Sequence, residues 1–554
     1  MNKLKSVRIN KYAIYYLGVT LLIIYLAFKG LDNNYFWDDE SETAIFAKNF
    51  LNYRTLTAWD GNNLLAYRNG AFINDDFTSL EPPLRYYITS ISFAFFDKTT
   101  FYARLPFVII GLFSLLFLYF ILKDELGNKN TILYALIIFG LSTSFLLFIR
   151  QAQYSSFIIF LPLVIYYYYK KYIKTEKKIF LVYLTSALTA LFYSQYLICI
   201  IFVGVLAIDY FLFYFRKKTF IPITVAFAAF ALLAMPIIIT NKLFNLAPNL
   251  IEKHGTWIFN KLILLYRNFR ETNSLGFLPV TIFIGLLIIV AISVKNKHFL
   301  GENKKHITFI KEWLLMIFAF ILLLSFLTTQ TAYNTFIADI RYLIVILPFA
   351  SGLVSVFLFF VGKKSKMLAL AFLLLVVLTN LLSIPLYPSR DIFHRQIRFD
   401  LINYIKEIHN DYVTPYEAMA EFLQQNAKQD DIVFVSPDYM GYPLMFYAGD
   451  KFKLCCQLSY TTKLPKDNVH QLDKNLFLEE AKPKWLILFG RFENTPTIFS
   501  HFTRDGSKYK PFKYINIFWR DMTRPELLWH SYGPVADFNQ TYQGIYVYKK
   551  EENI

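Results

Sequence analysis

Phe36-Trp37-Asp38-Asp39-Glu40 contains the first cluster of acidic residues in the chain, and it follows the first apolar run that is long enough to cross a membrane. The segment after it predicts an amphipathic helix, with Ala44 and Ala47 on one face. Asp39 and Glu42 have the spacing of a helix-capping box, so Asp39 is interpreted either as an N-cap or as a functional acid. The place of this loop in the whole chain decides between the two interpretations.

The composition indicates a membrane protein with many spans. The 554 residues are 56% hydrophobic, 19% aromatic and 18% charged, which is too apolar and too long for one soluble core. The apolar residues come in runs of about 17 to 22, the length that a helix needs to cross roughly 30 Å of hydrocarbon. The net charge of +17 comes largely from Lys and Arg in short connectors between these runs. This pattern is a topology signal, so nucleic acid is not the expected partner.

Eleven apolar runs are predicted to cross the membrane as helices. The first is predicted to be a retained anchor, because no small-residue cleavage site follows it. The apolar stretch 179–215 is too long for one helix and is divided at Ser194-Gln195. The predicted spans are 12–28, 101–122, 131–149, 155–172, 179–193, 196–215, 220–240, 277–294, 307–327, 342–361 and 367–386.

The connectors predict the orientation of these spans. With the basic N-terminus in the cytoplasm, all five cytoplasmic connectors carry Lys or Arg, as the positive-inside rule expects. An odd number of spans then places both the first loop, residues 31–100, and everything after Leu386 on the outer side. Residues 1–387 are predicted to form the transmembrane domain, and residues 388–554 a soluble extracytoplasmic α/β domain. In the latter we expect a helix at 416–426 and strands at 431–436, 485–489 and 544–548.

Charged residues from separated parts of the chain meet this predicted outer face. A single Arg at the end of a span is explained equally well by snorkelling, in which a long side chain reaches the headgroups. Several Arg beside acids instead suit a reaction on a lipid phosphate, with guanidinium groups binding phosphate oxygens and a carboxylate acting as base or metal ligand. The residues are Asp38, Asp39 and Glu40; Arg104; Arg150 with Gln153 and Tyr154; and Asp339 with Arg341.

The apolar runs lack the midplane acids that proton- and ion-coupled transporters use. Apart from Asp209 and Glu312, both predicted near cytoplasmic ends, no acid stands inside an apolar run. A coupled transporter is therefore disfavoured. Gly-rich phosphate loops, a Ser/His/Asp series and metal-type His pairs are not evident either.

Five motifs, in this order and spacing, resemble those of the C-fold glycosyltransferases, membrane enzymes that take a sugar from a polyprenyl-phosphate carrier. The chain looks most like the branch that contains protein O-mannosyltransferases and the bacterial transferases that add aminoarabinose to lipid A. One departure is Glu81, because many relatives have Lys before the Pro-Pro-Leu element. The motifs are Asp39-Glu40 before an amphipathic helix, Pro82-Pro83-Leu84-Arg85-Tyr86-Tyr87, Ala103-Arg104-Leu105-Pro106, Arg150-Gln151-Ala152-Gln153-Tyr154-Ser155, and Arg341-Tyr342-Leu343 through Pro348.

The resemblance implies roles for these residues. Asp39, together with Glu40, is expected to be the catalytic or substrate-positioning acid, and Arg150 and Arg341 are expected to hold the carrier phosphate. Arg85 or a bound divalent cation would compensate for Glu81. A divalent metal ion, with Asp39 as a ligand, is the one cofactor that stays open. The predicted donor-phosphate and substrate-binding residues are Arg85, Arg104, Arg150, Tyr154, Arg341 and Tyr342.

The predicted activity is transfer of a hexosyl or pentosyl unit from a polyprenyl-phosphate sugar to an envelope acceptor, with inversion, at the outer face of the bacterial inner membrane. The acceptor is a glycolipid such as lipid A, another glycan, or a protein. A hydroxyl acceptor needs Asp39 as general base, whereas a phosphate acceptor does not. The alternative, from a different class, is a lipid-linked glycan translocator or a non-enzymatic envelope assembly scaffold. A translocator should need a polar path from the cytoplasmic face, which the apolar runs do not offer.

Overall fold

The computed structural model describes residues 11–66, 70, 72–74, 76–241, 243, 257–328, 340–386, 397, 399–411, 413–455, 472–489, 495–518 and 542–551. Asp339 and the predicted domain boundary at residue 387 lie outside these ranges.

The membrane part is built of helices, because only a helix can pair every backbone group within an apolar run. Helix α9 is prolonged by a π-helical turn at Tyr210–Tyr214, and α14 runs through a 3₁₀ turn into α15. The helices are α1 (Lys11–Phe28), α2 (Asp38–Tyr53), α3 (Leu84–Phe95), α4 (Thr100–Glu125), α5 (Lys129–Gly140), α6 (Thr143–Ile149), α7 (Ser155–Thr175), α8 (Ile179–Ser194), α9 (Tyr196–Asp209), α10 (Lys217–Thr240), α11 (Trp257–Ser274), α12 (Val280–Lys295), α13 (Lys297–Leu327), α14 (Ile340–Leu343), α15 (Leu347–Lys364) and α16 (Lys366–Leu378).

Each predicted span coincides with a helix or a pair of helices, which confirms a polytopic helical membrane protein. The predicted division at Ser194-Gln195 is the boundary between α8 and α9. Within the described ranges, six helices are long and apolar enough to cross a membrane, or seven if α5 and α6, which meet at a 60° bend, form one span. Helices α8, α12 and α16 are apolar but shorter. The number of eleven crossings therefore stays a prediction.

Helix α2 begins at Asp38 and carries the acidic cluster in its first turn. Trp37 occupies the N-cap position with extended backbone and makes no side-chain capping bond. Asp39 lies inside the helix, so its interpretation as an N-cap is wrong. The positive end of the helix dipole favours acids in this first turn. Ala44 and Ala47 are fully buried as expected, but every residue from Glu40 to Ala47 is buried. This part of α2 is therefore covered on all sides and not on one face, because both the membrane helices and the sheet region pack on it.

The C-terminal part contains a five-stranded mixed sheet with strand order β2-β1-β3-β5-β4. Strand β1 is parallel to β2 and β3, and β5 is antiparallel to β3 and β4. The predicted helix and strands are confirmed, whereas β2 and β4 were not foreseen. The elements are α17 (Asp400–Ile408), α18 (Pro415–Asn426), β1 (Asp431–Ser436), α19 (Gly441–Ala448), β2 (Phe452–Cys455), β3 (Trp485–Phe489), α20 (Thr495–Phe502), β4 (Tyr509–Phe518) and β5 (Tyr542–Lys550).

The first loop and the sheet share one hydrophobic core. Trp37, Ile45 and Phe46 belong to the same buried cluster as Met445 of α19 and Phe452 of β2. Burial of such side chains stabilises by about 1.5–3 kcal/mol each. The loop that carries the acids is therefore held between the membrane helices and the sheet, while the predicted division into two domains stays a prediction.

Candidate active site

Asp39 and Arg341 form an ion pair that joins the first loop to the segment before α15. Arg341 Nη1 donates to Asp39 Oδ2 at 2.8 Å, across 302 residues of sequence. The two side chains are 20% and 16% exposed. Among the described residues, Oδ1 of Asp39 receives no hydrogen bond, so this carboxylate keeps an oxygen for a substrate. The structure thus brings together two residues that the motifs predicted for one site.

Glu40 and Arg104 form a second ion pair, in which both Glu40 oxygens have hydrogen-bond partners. Arg104 donates from Nε and Nη2 to the two Glu40 oxygens at 2.8 and 2.7 Å. Its Nη1 donates to the backbone oxygens of Leu31 and Asn34, and the N–H of Ala152 donates to Glu40 Oε1 at 2.9 Å. Glu40 is 1% exposed. This two-pronged pair holds α2, α4 and the turn before α7 together.

A third cluster surrounds Glu42, one helical turn after the acidic start of α2. Glu42 Oε1 accepts from Arg85 Nη2 at 3.0 Å and from the hydroxyl of Tyr86 at 2.7 Å. Glu81 is bonded to the same Arg85 guanidinium. Burial and the nearby Glu81 carboxylate raise the pKa of Glu42 to about 8. Glu81, the departure from the family pattern, is thus paired with Arg85 within the chain. The expectation that Arg85 or a divalent cation replaces the lost phosphate contact stays a prediction.

Asp38 is the first residue of α2 and precedes Asp39. Burial and the adjacent Asp39 carboxylate raise the pKa of Asp38 well above its usual range. Glu42 and Tyr86 were not predicted for this site. The i, i+3 and i, i+4 spacing of Glu42 from Asp39 and Asp38 is the signal that could have identified Glu42.

Arg150 lies at the end of α1. Its Nη1 donates to the carbonyls of Lys29, Leu26 and Ala27 at 2.7, 3.2 and 3.3 Å, and its Nη2 is bonded to the carbonyl of Gly30. Leu26 and Ala27 are in the last turn of α1, whose carbonyls have no intrahelical partners, and Lys29 and Gly30 follow the end of the helix. The predicted role of Arg150 in phosphate binding stays a prediction. The structure gives this residue a helix-capping role in addition.

The turn after Arg150 buries side-chain amides. Gln151 and Gln153 are 3% and 0% exposed, and neither amide has a hydrogen-bond partner within the described ranges. Tyr154 is buried next to them, and Tyr342 is half-buried beside Arg341. Unpaired buried amides are costly, and amides of this kind can bond to hydroxyl or phosphate oxygens.

The sequence left open a divalent metal ion with Asp39 as a ligand. Asp39 is paired with Arg341, and in the described part of the chain no group of three or more His, Cys, Asp and Glu side chains could hold a metal ion. We therefore assign no step to a metal.

In sequence, this chain is similar to a known protein family and to a bacterial relative. Residues 80–241 match the family model of dolichyl-phosphate-mannose-protein mannosyltransferases. A stretch of 181 residues is 29% identical to an uncharacterized protein of Aquifex aeolicus (strain VF5), covering 32% of this chain. The chain spans about a third of that relative, since the match covers 33% of its length.

Two solved structures have the same architecture over nearly the whole chain. Both are of ArnT from Cupriavidus metallidurans. The apo structure matches with a TM-score of 0.56 at 10% identity, covering 97% of this chain and 98% of that one. The structure bound to undecaprenyl phosphate matches with a TM-score of 0.53 at 11% identity, with the same coverage. At these identities the likeness shows the fold alone, and together with the family match it confirms the resemblance to the C-fold glycosyltransferases.

Proposed function

We propose, on the premise that this chain has the C-fold glycosyltransferase architecture, that it is a membrane glycosyltransferase using a polyprenyl-phosphate sugar. It moves a hexosyl or pentosyl unit to an envelope acceptor, which is a glycolipid such as lipid A, a glycan or a protein. The fold match to a protein solved with undecaprenyl phosphate supports the class of donor.

The observation that carries the proposal is the half-buried Asp39–Arg341 pair. A carboxylate with a free oxygen and a guanidinium 2.8 Å away supply the two groups that transfer from a phosphate carrier needs. The guanidinium binds phosphate oxygens, and the carboxylate handles the acceptor. Glu40 and Arg104 are already bonded to each other and to the backbone, so we assign them to positioning the first loop.

The reaction is a direct displacement at the anomeric carbon. The acceptor oxygen forms a bond to that carbon while the bond from the carbon to the carrier phosphate oxygen breaks, and the configuration inverts. Polyprenyl phosphate leaves with the bonding electrons, and Arg341 stabilises its charge. With a hydroxyl acceptor, the proton passes to Asp39. With a phosphate acceptor, no proton needs to be removed and Asp39 orients the acceptor.

The Arg side chains divide between these tasks. Arg341 is the phosphate ligand best placed beside Asp39. Arg85 is held between Glu42 and Glu81, which makes it an electrostatic balance for these acids. Arg150 fixes the end of α1, and through it the start of the first loop.

The site is proposed to face the outer side of the inner membrane, with a cytoplasmic N-terminus. The support is the concentration of Lys and Arg in alternate connectors. Reporter fusions after Lys178 and Lys297 should report cytoplasm, and one after Asn426 the outer compartment. A fusion after Asn426 that reports cytoplasm would overturn this orientation.

The activity is tested with purified protein and a panel of polyprenyl-phosphate hexoses and pentoses. Mass spectrometry should detect released polyprenyl phosphate only when an acceptor, such as lipid A, an envelope glycan or an envelope protein, is added. Release that does not depend on acceptor indicates hydrolysis. Absence of release with every pair, together with movement of the lipid-linked sugar across a vesicle membrane, would establish the translocator instead.

A further inference from the structure

Helix α19 of the sheet region contacts the first loop immediately before the acidic cluster. The hydroxyl of Tyr447 accepts a hydrogen bond from the N–H of Phe36 at 3.0 Å and lies 2.7 Å from Thr100 Oγ1. Its ring stacks on Tyr35, with centroids 3.9 Å apart. Phe36 precedes the N-cap of α2, and Thr100 is the first residue of α4. One hydroxyl therefore ties together the two helices that carry Asp39 and Arg104.

A second attachment joins the first loop to the sheet. The amide of Asn63, which is fully buried, donates to the backbone oxygens of Gly449 and Phe452 at 2.9 and 3.2 Å. Its Oδ1 accepts from the N–H of Leu454 at 2.5 Å. Strand β2 is the edge strand of the sheet. Through Phe452 and Leu454, Asn63 thus pairs with groups of β2 that an edge strand leaves unbonded, and it fixes the loop in register with β2.

Hydrophobic contacts make this attachment stiff. Phe36 packs edge to face on Phe446, with centroids 5.0 Å apart, and Trp37 lies in the same core cluster as Met445. A well-packed core has few alternative arrangements. A shift of α19 would therefore move the start of α2.

We propose that the sheet region is a positioning part of the active site, and that Tyr447 is the residue through which it sets the place of Asp39. The catalytic half of this inference rests on the proposed glycosyltransferase function. Tyr447 does not touch the reacting groups. It holds Phe36 and Thr100 at fixed distance, so that Asp39 meets Arg341 in the geometry of the pair.

The test is Tyr447→Phe, which keeps the ring stack and removes both hydrogen bonds. Because small misplacements of reacting groups are costly, we expect kcat to fall about 10- to 100-fold. The donor KM should stay within about twofold, since the binding groups remain. Hydrogen exchange of residues 31–43 should become faster.

The matched control is Tyr509→Phe. The hydroxyl of Tyr509 donates to the carbonyl of Pro483 at 2.7 Å, so this variant removes a hydrogen bond in the sheet region but none to the first loop. It should keep wild-type kcat and wild-type exchange at residues 31–43. An equal loss of kcat in both variants would show a general effect of the sheet region and overturn the role of Tyr447.

Thr100→Val provides a second path to the same contact, and it tests the inference even if Tyr447→Phe does not fold. The effects on kcat of the two substitutions should be markedly less than additive in the double variant, because both break one contact. Wild-type kcat in Tyr447→Phe or in Thr100→Val overturns the inference, as does full additivity. If wild-type protein transfers no sugar, the proposed function fails, and hydrogen exchange alone decides whether Tyr447 holds the loop.

Discussion

Helix α7 has a charged network at each end, and the two networks differ in how many partners their acids have. Before its N-terminus, the turn at Ala152 meets Glu40, next to the open Asp39–Arg341 pair. Near its other end, Glu312 of α13 is paired with Lys170 and accepts from Tyr166 and Tyr214 at 3.1 and 2.9 Å. Lys170 is 15 residues from Ser155, or roughly 22 Å along the helix axis.

Exposure separates Asp39 from Glu312 in the same way. The side chain of Glu312 is 1% exposed, whereas that of Asp39 is 20% exposed. A carboxylate whose oxygens are all bonded serves packing, because binding a ligand would first break those bonds. A half-buried carboxylate in the first turn of a helix, with one oxygen that no described residue bonds, can meet a substrate. In this chain, therefore, an acid in a helix indicates chemistry only when the number of its hydrogen-bond partners is also known.

The largest effect is expected from Asp39→Asn. Loss of a general base typically costs about 10²- to 10⁴-fold in rate. The amide keeps the size of the side chain, and Asp39 is not the N-cap, so insertion and thermal stability should stay near wild type. Donor turnover and the unfolding midpoint in detergent are the measurements.

Asp38→Asn is the control for this prediction, because Asp38 is adjacent and differs only in its surroundings. We expect it to keep turnover within a few-fold of wild type. A collapse in Asp38→Asn with normal Asp39→Asn would move the catalytic assignment by one residue. Near-normal turnover in Asp39→Asn with a hydroxyl acceptor would show that Asp39 is not the general base, and so that it does not differ from Glu312 in this respect.

The second prediction concerns the network of Glu312 and Lys170. Glu312→Gln leaves Lys170 buried without its main carboxylate, which typically costs about 3–5 kcal/mol. Glu125, 3.6 Å from Lys170, should keep the loss toward the lower end. The unfolding midpoint should fall while turnover of the folded protein stays unchanged.

Glu176→Gln is the matched surface control. Its partner Lys218 is 80% exposed, and solvent screens such surface pairs, so the unfolding midpoint of this variant should stay near wild type. Loss of turnover in folded Glu312→Gln would show that the two ends of α7 are coupled. Glu312 would then affect activity as well as stability, contrary to this prediction.

The sequence predicted the helices that carry both networks, but it did not predict which residues pair with each other in them. Apolar runs located the helices because their length and composition are local properties. Strand β3 was predicted because Trp485–Phe489 is an unbroken apolar run, and the structure buries all five of its residues. Strand β2 has four residues, and β4 alternates Lys with aromatic residues around Pro511, so neither stands out from a loop.

The pairings are long-range and could not be predicted in the same way. Arg341 is 302 residues from Asp39, and Arg104 is 64 residues from Glu40. The sequence placed these residues on one face, but the identity of each partner depends on how the helices pack. For Arg150, the two interpretations from sequence were a phosphate ligand and an interfacial anchor. The contact with the end of α1 depends on that packing as well.

The third prediction separates Arg341 from Arg150. Lys keeps the charge of Arg but loses its planar pair of donors. Arg341→Lys should weaken donor binding about tenfold, the value of one hydrogen bond to a charged group. Arg150→Lys should instead lower the unfolding midpoint, since several carbonyl contacts at the end of α1 are lost. Equal loss of donor affinity in both variants would show that Arg150 also binds the donor phosphate.

The last prediction uses the Glu42 cluster, which is intermediate between the two networks because it is buried but lies beside the open pair. Burial and Glu81 raise the pKa of Glu42 to about 8. A carboxyl with a raised pKa holds its proton in the folded state at pH values where the unfolded chain has released it. Stability is therefore lost as pH rises from about 4.5 to about 8, by at most about 1.4 kcal/mol per pH unit. Glu42→Gln removes this dependence. It also weakens the dependence that comes from Asp38, because the Glu42 carboxylate is one of the groups that raise the pKa of Asp38. The two unfolding midpoints should be close at pH 5, and the variant should be the more stable protein at pH 8. A difference between the midpoints that stays constant from pH 5 to pH 8 would show that Glu42 is ionised throughout, and that Arg85 closes this cluster as fully as Lys170 closes the one around Glu312.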